Sequence, residues 1–322
     1  MNCRSYSRVT KSVAASSSQL LYIKILKPKL WGKNLIVFAP PLLEFSINQE
    51  SMGGSLLAFI LLCLTSSSFY ILNDIVDIEF DRQHSIKCQR PIAAGLISIP
   101  TALTIALFLL ALGELIAWRF DPKVGIFLSI YAALQVAYNL GIKRMIILDI
   151  GFVAASFVIR AYLGAEASEV PLSPWFAVYI AMLAMFLAIE KRKAALNNLQ
   201  IIESAGDDIL TITPFYSYSF LNRMECATTT ITILTYGLWS SGPKLQGAST
   251  SWMLITLPFI FYGLFRYQLI SEPQGFVSYR DLKLRQHPGK ILFQDKGIFF
   301  TVMSWIISCL GILWLKHQGL IN

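Results

Sequence analysis

Ten consecutive residues, Asn73-Asp74-Ile75-Val76-Asp77-Ile78-Glu79-Phe80-Asp81-Arg82, carry the sharpest chemical pattern in the chain. On a helix of about 3.6 residues per turn, Asp74, Asp77 and Asp81 fall within roughly 60° of one another, while Glu79 points away. Three carboxylates on one stripe at the end of an apolar helix repel one another and resist desolvation. A divalent cation relieves both problems. Hard oxygen donors such as these three aspartates suit Mg²⁺, which keeps several waters and is readily shared with substrate phosphates. A solvated, charged helix end would account for the acids alone. The bases close behind them, Arg82, Lys87 and Arg90, point instead to a metal–pyrophosphate site in which ion and cations share the negative charge.

The elements that hold this strip are read from composition and hydropathy. Of 322 residues, 55% are apolar and 14% charged, too little charge to cover a soluble fold of this size, where about 25% is usual. The net charge of +8 would fit either a nucleic-acid binder or a membrane protein with its charge in loops. Apolar runs decide for the membrane. A hydrocarbon core needs about 20 helical residues, and residues 54–72, 100–118, 123–140, 145–164, 174–190, 251–270 and 297–315 each qualify. Asn34–Ile47 is shorter and Cys226–Ser241 is Thr-rich. Together they predict an all-α integral membrane bundle of nine transmembrane helices. Barrel strands would be about 9–11 residues long and alternating, which these runs are not.

With nine spans the termini lie on opposite faces, and twenty-two of the 27 basic residues fall on the N-terminal side against four on the other. That asymmetry predicts a cytoplasmic N-terminus. It also spreads the basic residues over many loops, which leaves no compact basic domain for a duplex and hence no nucleic-acid partner. Residues 1–20 are polar and Ser-rich and read as a disordered tail; residues 21–322 read as a single polytopic domain, with loops about 73–99, 138–145 and 190–223 on the aspartate side. The five cysteines and three histidines are scattered, with no zinc pattern.

Further candidates share the aspartate face. Lys33 precedes the first span, Tyr138 closes the fourth, and Lys143-Arg144 and Lys191-Arg192-Lys193 follow the fourth and sixth. A lysine contacts phosphate as a point charge, although basic residues here also serve topology. Arg160 is different, because nothing about topology requires an arginine in mid-span. Asp149 lies at the same angle three turns earlier, too far for contact, so Arg160 is expected to brace a neighbouring helix. The loop 197–222 could close over the site or simply connect spans.

The Asn-Asp-x-x-Asp-x-x-x-Asp pattern after a span resembles the first aspartate motif of the UbiA prenyltransferase superfamily, nine-helix intramembrane enzymes that ionise a pyrophosphate substrate with Mg²⁺. Within it, Lys27-Pro28-Lys29-Leu30-Trp31-Gly32-Lys33-Asn34, Arg90-Pro91-Ile92-Ala93-Ala94-Gly95, Tyr138-Asn139-Leu140-Gly141-Ile142-Lys143, Arg160-Ala161-Tyr162-Leu163-Gly164 and Glu190-Lys191-Arg192-Lys193 are similar to the decaprenyl-phosphate phosphoribosyltransferases. The resemblance implies transfer of ribose 5-phosphate from phosphoribosyl pyrophosphate to a polyprenyl phosphate in a bacterial plasma membrane. Asn73, Asp74, Asp77 and Asp81 would hold Mg²⁺. Lys33, Arg82, Lys87 and Arg90 would meet donor phosphates, and Tyr138, Lys143, Lys191 and Arg192 would position phosphates of either substrate. A second acidic cluster, usual among the prenyltransferases, is missing from Tyr138–Arg144, which reads basic. The rival readings are a prenyl pyrophosphate:aromatic transferase and, from another class, a cation-coupled transporter. Transporters usually place such acids near mid-membrane, and these lie at its edge.

Overall fold

The computed structural model describes residues 18–83, 87–203, 216–271 and 295–321. Among them there are helices and no strands. The chain opens with α1 (Ser18–Leu26), a 3₁₀ segment (Pro28–Phe38) and the short α2 (Ala39–Leu43). Then come α3 (Gln49–Val76), α4 (Ile78–Gln83), α5 (Ile99–Phe120), α6 (Pro122–Leu140) and α7 (Leu148–Ala167). They are followed by α8 (Pro174–Glu203), α9 (Tyr218–Ser240), α10 (Leu257–Ser271) and α11 (Lys296–His317). Most of the expected tail lies outside the described residues, but residues 18–20 already belong to α1.

Seven helical stretches are long and apolar enough to cross a membrane: Gln49–Val76, Ile99–Phe120, Pro122–Leu140, Leu148–Ala167, Pro174–Leu196, Ser251–Ser271 and Lys296–His317. They coincide with the seven strong apolar runs, and the protein is an integral membrane bundle. The two weaker runs behave otherwise. Residues 28–43 form a broken 3₁₀–α segment because Pro28, Pro40 and Pro41 interrupt the amide ladder. Helix α9 is 23 residues long but Thr-rich. Thr228, Thr232 and Thr235 donate to the carbonyls four residues back at 2.9, 2.6 and 2.8 Å, which satisfies their hydroxyls within the helix.

Local chemistry sets the helix starts. Asn48, Ser98 and Asp121 cap α3, α5 and α6 by accepting from Ser51, Thr101 and Lys123 amides, contacts of about 1 kcal/mol each. Small residues then let backbones approach, as membrane packing requires. A Cβ on Gly164 would lie 2.4 Å from the Val37 carbonyl oxygen, so this glycine seats the 3₁₀ segment against α7. On its other side that segment meets the serine run of α3. Ser67 donates to the Leu26 carbonyl at 2.9 Å and accepts from the Trp31 indole at 3.0 Å. These contacts fix Lys27 beside the strip that ends α3.

Candidate active site

Helix α3 carries its apolar face out to the aspartate strip. The amides of Asp77 and Asp81 donate to the Asn73 and Asp77 carbonyls, both at 2.9 Å, so the helical ladder runs through the junction of α3 and α4. The expected stripe forms, and Glu79 is exposed as anticipated. Asp74 and Asp81 are buried and Asp77 is half-buried. Helix α4 brings Arg82 next to Glu79, at 3.1 Å on the exposed side.

Each aspartate is met by a cation. The Arg90 Nη1 nitrogen donates to Asp74 Oδ1 at 2.8 Å and to Asp81 Oδ2 at 2.7 Å. Lys27 Nζ reaches the same Asp74 oxygen at 2.7 Å. Lys143, from the turn between α6 and α7, donates to Asp77 at 2.7 and 3.0 Å and to the Asn73 side-chain Oδ1 at 3.3 Å. Lys143 thus bridges two residues of the strip, where direct contact with a substrate phosphate was expected of it. Lys27 went unassigned in the sequence reading. It stands 47 positions from Asp74, and only the left-handed turn at Lys27 (φ 52°, ψ 54°) brings it back to α3.

The donor set suits a hard divalent cation. Two buried carboxylate oxygens already converge on one positively charged nitrogen, a point that a metal ion could also occupy. Among the described residues no group of three acids, histidines or cysteines closes around one point, because Asp77 turns to Lys143.

A second set of cations stands across the same end of the bundle. Lys33 and Lys191 are exposed yet close enough to repel each other. Burial of its surroundings, then Lys191 and Arg160, push the Lys33 ammonium down to about 8. Neither lysine has a carboxylate partner among the described residues. Lys87 and Arg144 are exposed. Burial likewise pulls Lys27 below the ordinary lysine range, against the opposing pull of Asp74.

Arg192 is paired, its Nη2 lying 2.6 Å from Asp149 Oδ2, and its guanidinium lies near the Tyr138 hydroxyl. Lys193 turns away from the site and is buried against Glu225 and Glu190. Arg160 donates to Asn34 Oδ1 at 3.1 Å, to the Ser156 carbonyl and hydroxyl at 2.9 Å each, and to the Tyr131 hydroxyl at 2.9 Å. It ties the 3₁₀ segment, α6 and α7 together in mid-bundle, as a bracing role requires.

An apolar cavity of about 500 Å³ lies deeper, between the 3₁₀–α2 segment and α7, α8, α10 and α11. Leu35, Phe157, Leu183, Gly263 and Trp305 are on its wall.

The profile of the UbiA prenyltransferase family matches residues 45–277. Decaprenyl-phosphate phosphoribosyltransferase of Mycolicibacterium smegmatis is 31% identical over 297 residues, covering 88% of this chain and 89% of that one. The enzyme of the same name from Corynebacterium glutamicum is 32% identical, covering 88% and 84%. A UbiA homolog from Archaeoglobus fulgidus, solved bound to GPP and Mg²⁺, shares the fold with a TM-score of 0.66 at 17% identity, over 91% of this chain and 99% of that one. A helical bundle with an aspartate strip at one end, matched along most of its length, belongs to the UbiA prenyltransferase family.

Proposed function

We propose that the protein transfers ribose 5-phosphate from phosphoribosyl pyrophosphate to a polyprenyl phosphate, releasing pyrophosphate. The reading is supported by the names of the relatives that match nearly nine-tenths of the chain. The observation that carries it is a surplus of positive charge. Lys27, Arg90 and Lys143 already neutralise the strip, and Arg192 neutralises Asp149. Lys33 and Lys191 still face the same region unneutralised. A prenyl pyrophosphate with an aromatic acceptor brings one phosphorylated group. A phosphosugar donor with a phosphate acceptor brings three, and needs that surplus.

In this reading Asn73, Asp74, Asp77 and Asp81 hold Mg²⁺. When bound, the ion offsets the charge that develops on departing pyrophosphate. Lys33, Arg82, Lys87 and Arg90 take the remaining oxygens of the donor. As the bond from C1 to pyrophosphate breaks, positive charge builds on the ribose and negative charge on the leaving group, and these cations stabilise the latter. Tyr138, Lys143, Lys191 and Arg192 position phosphates, so that an acceptor oxygen lies opposite the breaking bond and forms the new bond to C1. A phosphate diester or monoester is already ionised at neutral pH. The attacking oxygen therefore needs no general base, in keeping with the lack of a placed histidine among the described residues. The isoprenoid tail lies in the apolar cavity, entered sideways from the bilayer. The distribution of basic residues favours a cytoplasmic N-terminus and active site.

The test is purified protein with each donor in turn, phosphoribosyl pyrophosphate or a prenyl pyrophosphate, and labelled acceptor lipid. Phosphoribosylated lipid that requires Mg²⁺, and is lost in Asp77→Asn, is the expected product. Transfer of prenyl groups alone would overturn the assignment.

A further inference from the structure

Asp149 was noted in the sequence only as an acid too distant to pair with Arg160, and no role in the reaction has been attached to Tyr216 or Ile147. The structure joins all three to the site. Asp149, in the first turn of α7, is fully buried, and a carboxylate at that depth must be partnered. Arg192 meets one oxygen at 2.6 Å, and the Tyr216 hydroxyl donates to the other at 2.7 Å. The Tyr216 oxygen in turn accepts from the Ile147 amide at 2.6 Å. Ile147 sits at φ 71°, ψ −46°. A β-branched residue is strained there and stays only where its surroundings enforce it. The hydrogen bond to Tyr216 is that enforcement, and the turn it holds starts α7 with Asp149 directed at α8. Burial, then the bond to Asp149, push the Tyr216 hydroxyl up to about 12, so it remains a donor across the physiological range.

At the other end of the chain of contacts, the Arg192 guanidinium lies near the Tyr138 hydroxyl. A chain of polar contacts therefore runs from Ile147 through Tyr216 and Asp149 to Arg192. An unheld arginine on a helix surface would sample many rotamers. One whose guanidinium is held in ion-pair contact with a buried carboxylate samples fewer directions.

We propose that Asp149 and Tyr216 are positioning residues that orient Arg192 toward the substrate phosphates. The proposal rests on the phosphate-handling reading of the site, and deepens it. Arg192 contributes direction more than net charge, because Asp149 already neutralises it. Lys191, beside it and without such a partner, contributes charge.

The experiment uses the full-length protein in detergent and compares Asp149→Asn, Tyr216→Phe, Arg192→Ala and Asp149→Asn/Arg192→Ala. Two quantities are read: the KM and kcat for whichever pyrophosphate donor the wild type turns over, and the unfolding temperature. Asp149→Asn and Tyr216→Phe should raise a substrate KM about tenfold, as loss of an orienting partner does, with kcat changed much less. Arg192→Ala should lower the unfolding temperature because it strands a buried carboxylate. The double variant should regain that temperature but not the KM. Tyr216→Phe removes one hydroxyl and keeps the ring, so it reports even if Asp149→Asn unfolds. Unchanged KM in a folded Tyr216→Phe, or additive effects on KM in the double variant, overturns the relay. Loss of the proposed function shows separately, as a wild type that uses only prenyl pyrophosphate.

Discussion

Arg90 is the most informative residue to remove. Its Nη1 atom is shared by Asp74 and Asp81, whose side chains are 4% and 3% exposed, while Arg90 itself is 31% exposed. Breaking a fully buried pair by deleting one partner costs about 3–5 kcal/mol. Partial exposure of the arginine screens the pair, and Lys27 still holds Asp74, so the cost of Arg90→Gln should be about 2 kcal/mol. It falls mainly on Asp81, which has no other cation within salt-bridge distance among the described residues. In a protein of this size that is a fall of about 4 °C in unfolding temperature. The converging carboxylates should then depend on a divalent cation. Thermal unfolding of purified protein in EDTA and in millimolar Mg²⁺ reads both effects. The variant should be less stable than wild type in EDTA and should gain more from Mg²⁺ than wild type does. Arg90→Gln/Asp81→Asn should unfold near wild type in EDTA and respond weakly to the metal. Equal unfolding temperatures for Arg90→Gln and wild type in EDTA would refute the idea that the arginine compensates a buried pair. A Mg²⁺ gain no larger than that of wild type would refute the idea that the two acids form one cation site.

Lys33, held at about 8, is protonated at neutral pH and loses its charge as pH rises through that value. Its charged fraction falls about tenfold between pH 7 and 9. The KM of the substrate it meets should rise by up to that factor over this range, and Lys33→Arg should flatten the profile. Arg160→Lys cannot span Asn34, Ser156 and Tyr131 together. It should lower the unfolding temperature, at about 1–3 kcal/mol, and leave both KM values within twofold; a large KM change with unaltered stability would make Arg160 a substrate contact instead. Gly263→Phe would fill part of the apolar cavity, where a side chain meets only Thr301 at 3.9 Å. With a long polyprenyl phosphate its KM should rise about tenfold, and with a short-chain acceptor it should not. Equal effects on both acceptors would remove the tail from that cavity.

The strip and the bundle were legible because both are local. Spacing at helical period places Asp74, Asp77 and Asp81 on one stripe wherever the helix goes, and apolar runs of span length mark helices whatever they pack against. Arg90 beside the strip follows from nearness in sequence. The first apolar run was legible as apolar but not in its backbone, because prolines break it into 3₁₀ and α pieces. Lys143 shows the limit from another side. Its place on the aspartate side was predicted, but its partner was not, because a lysine alone does not state whether it will meet a carboxylate or a phosphate.

By itself, then, the sequence determined that this is a helical membrane protein with an acidic, metal-suited strip and a strong basic bias to one face. These properties depend on residue type and on contacts a few positions apart. Tertiary structure decided which partner each carboxylate meets: Lys27 with Asp74 across 47 positions, Lys143 with Asp77 across 66, and Tyr216 with Asp149 across 67. Such pairings depend on how helices from distant parts of the chain are seated, through close approaches like that of Gly164 to Val37. Once they are drawn, Lys33 and Lys191 stand out among the described residues near the site as charges without a carboxylate, and such charge is what a phosphorylated substrate would satisfy.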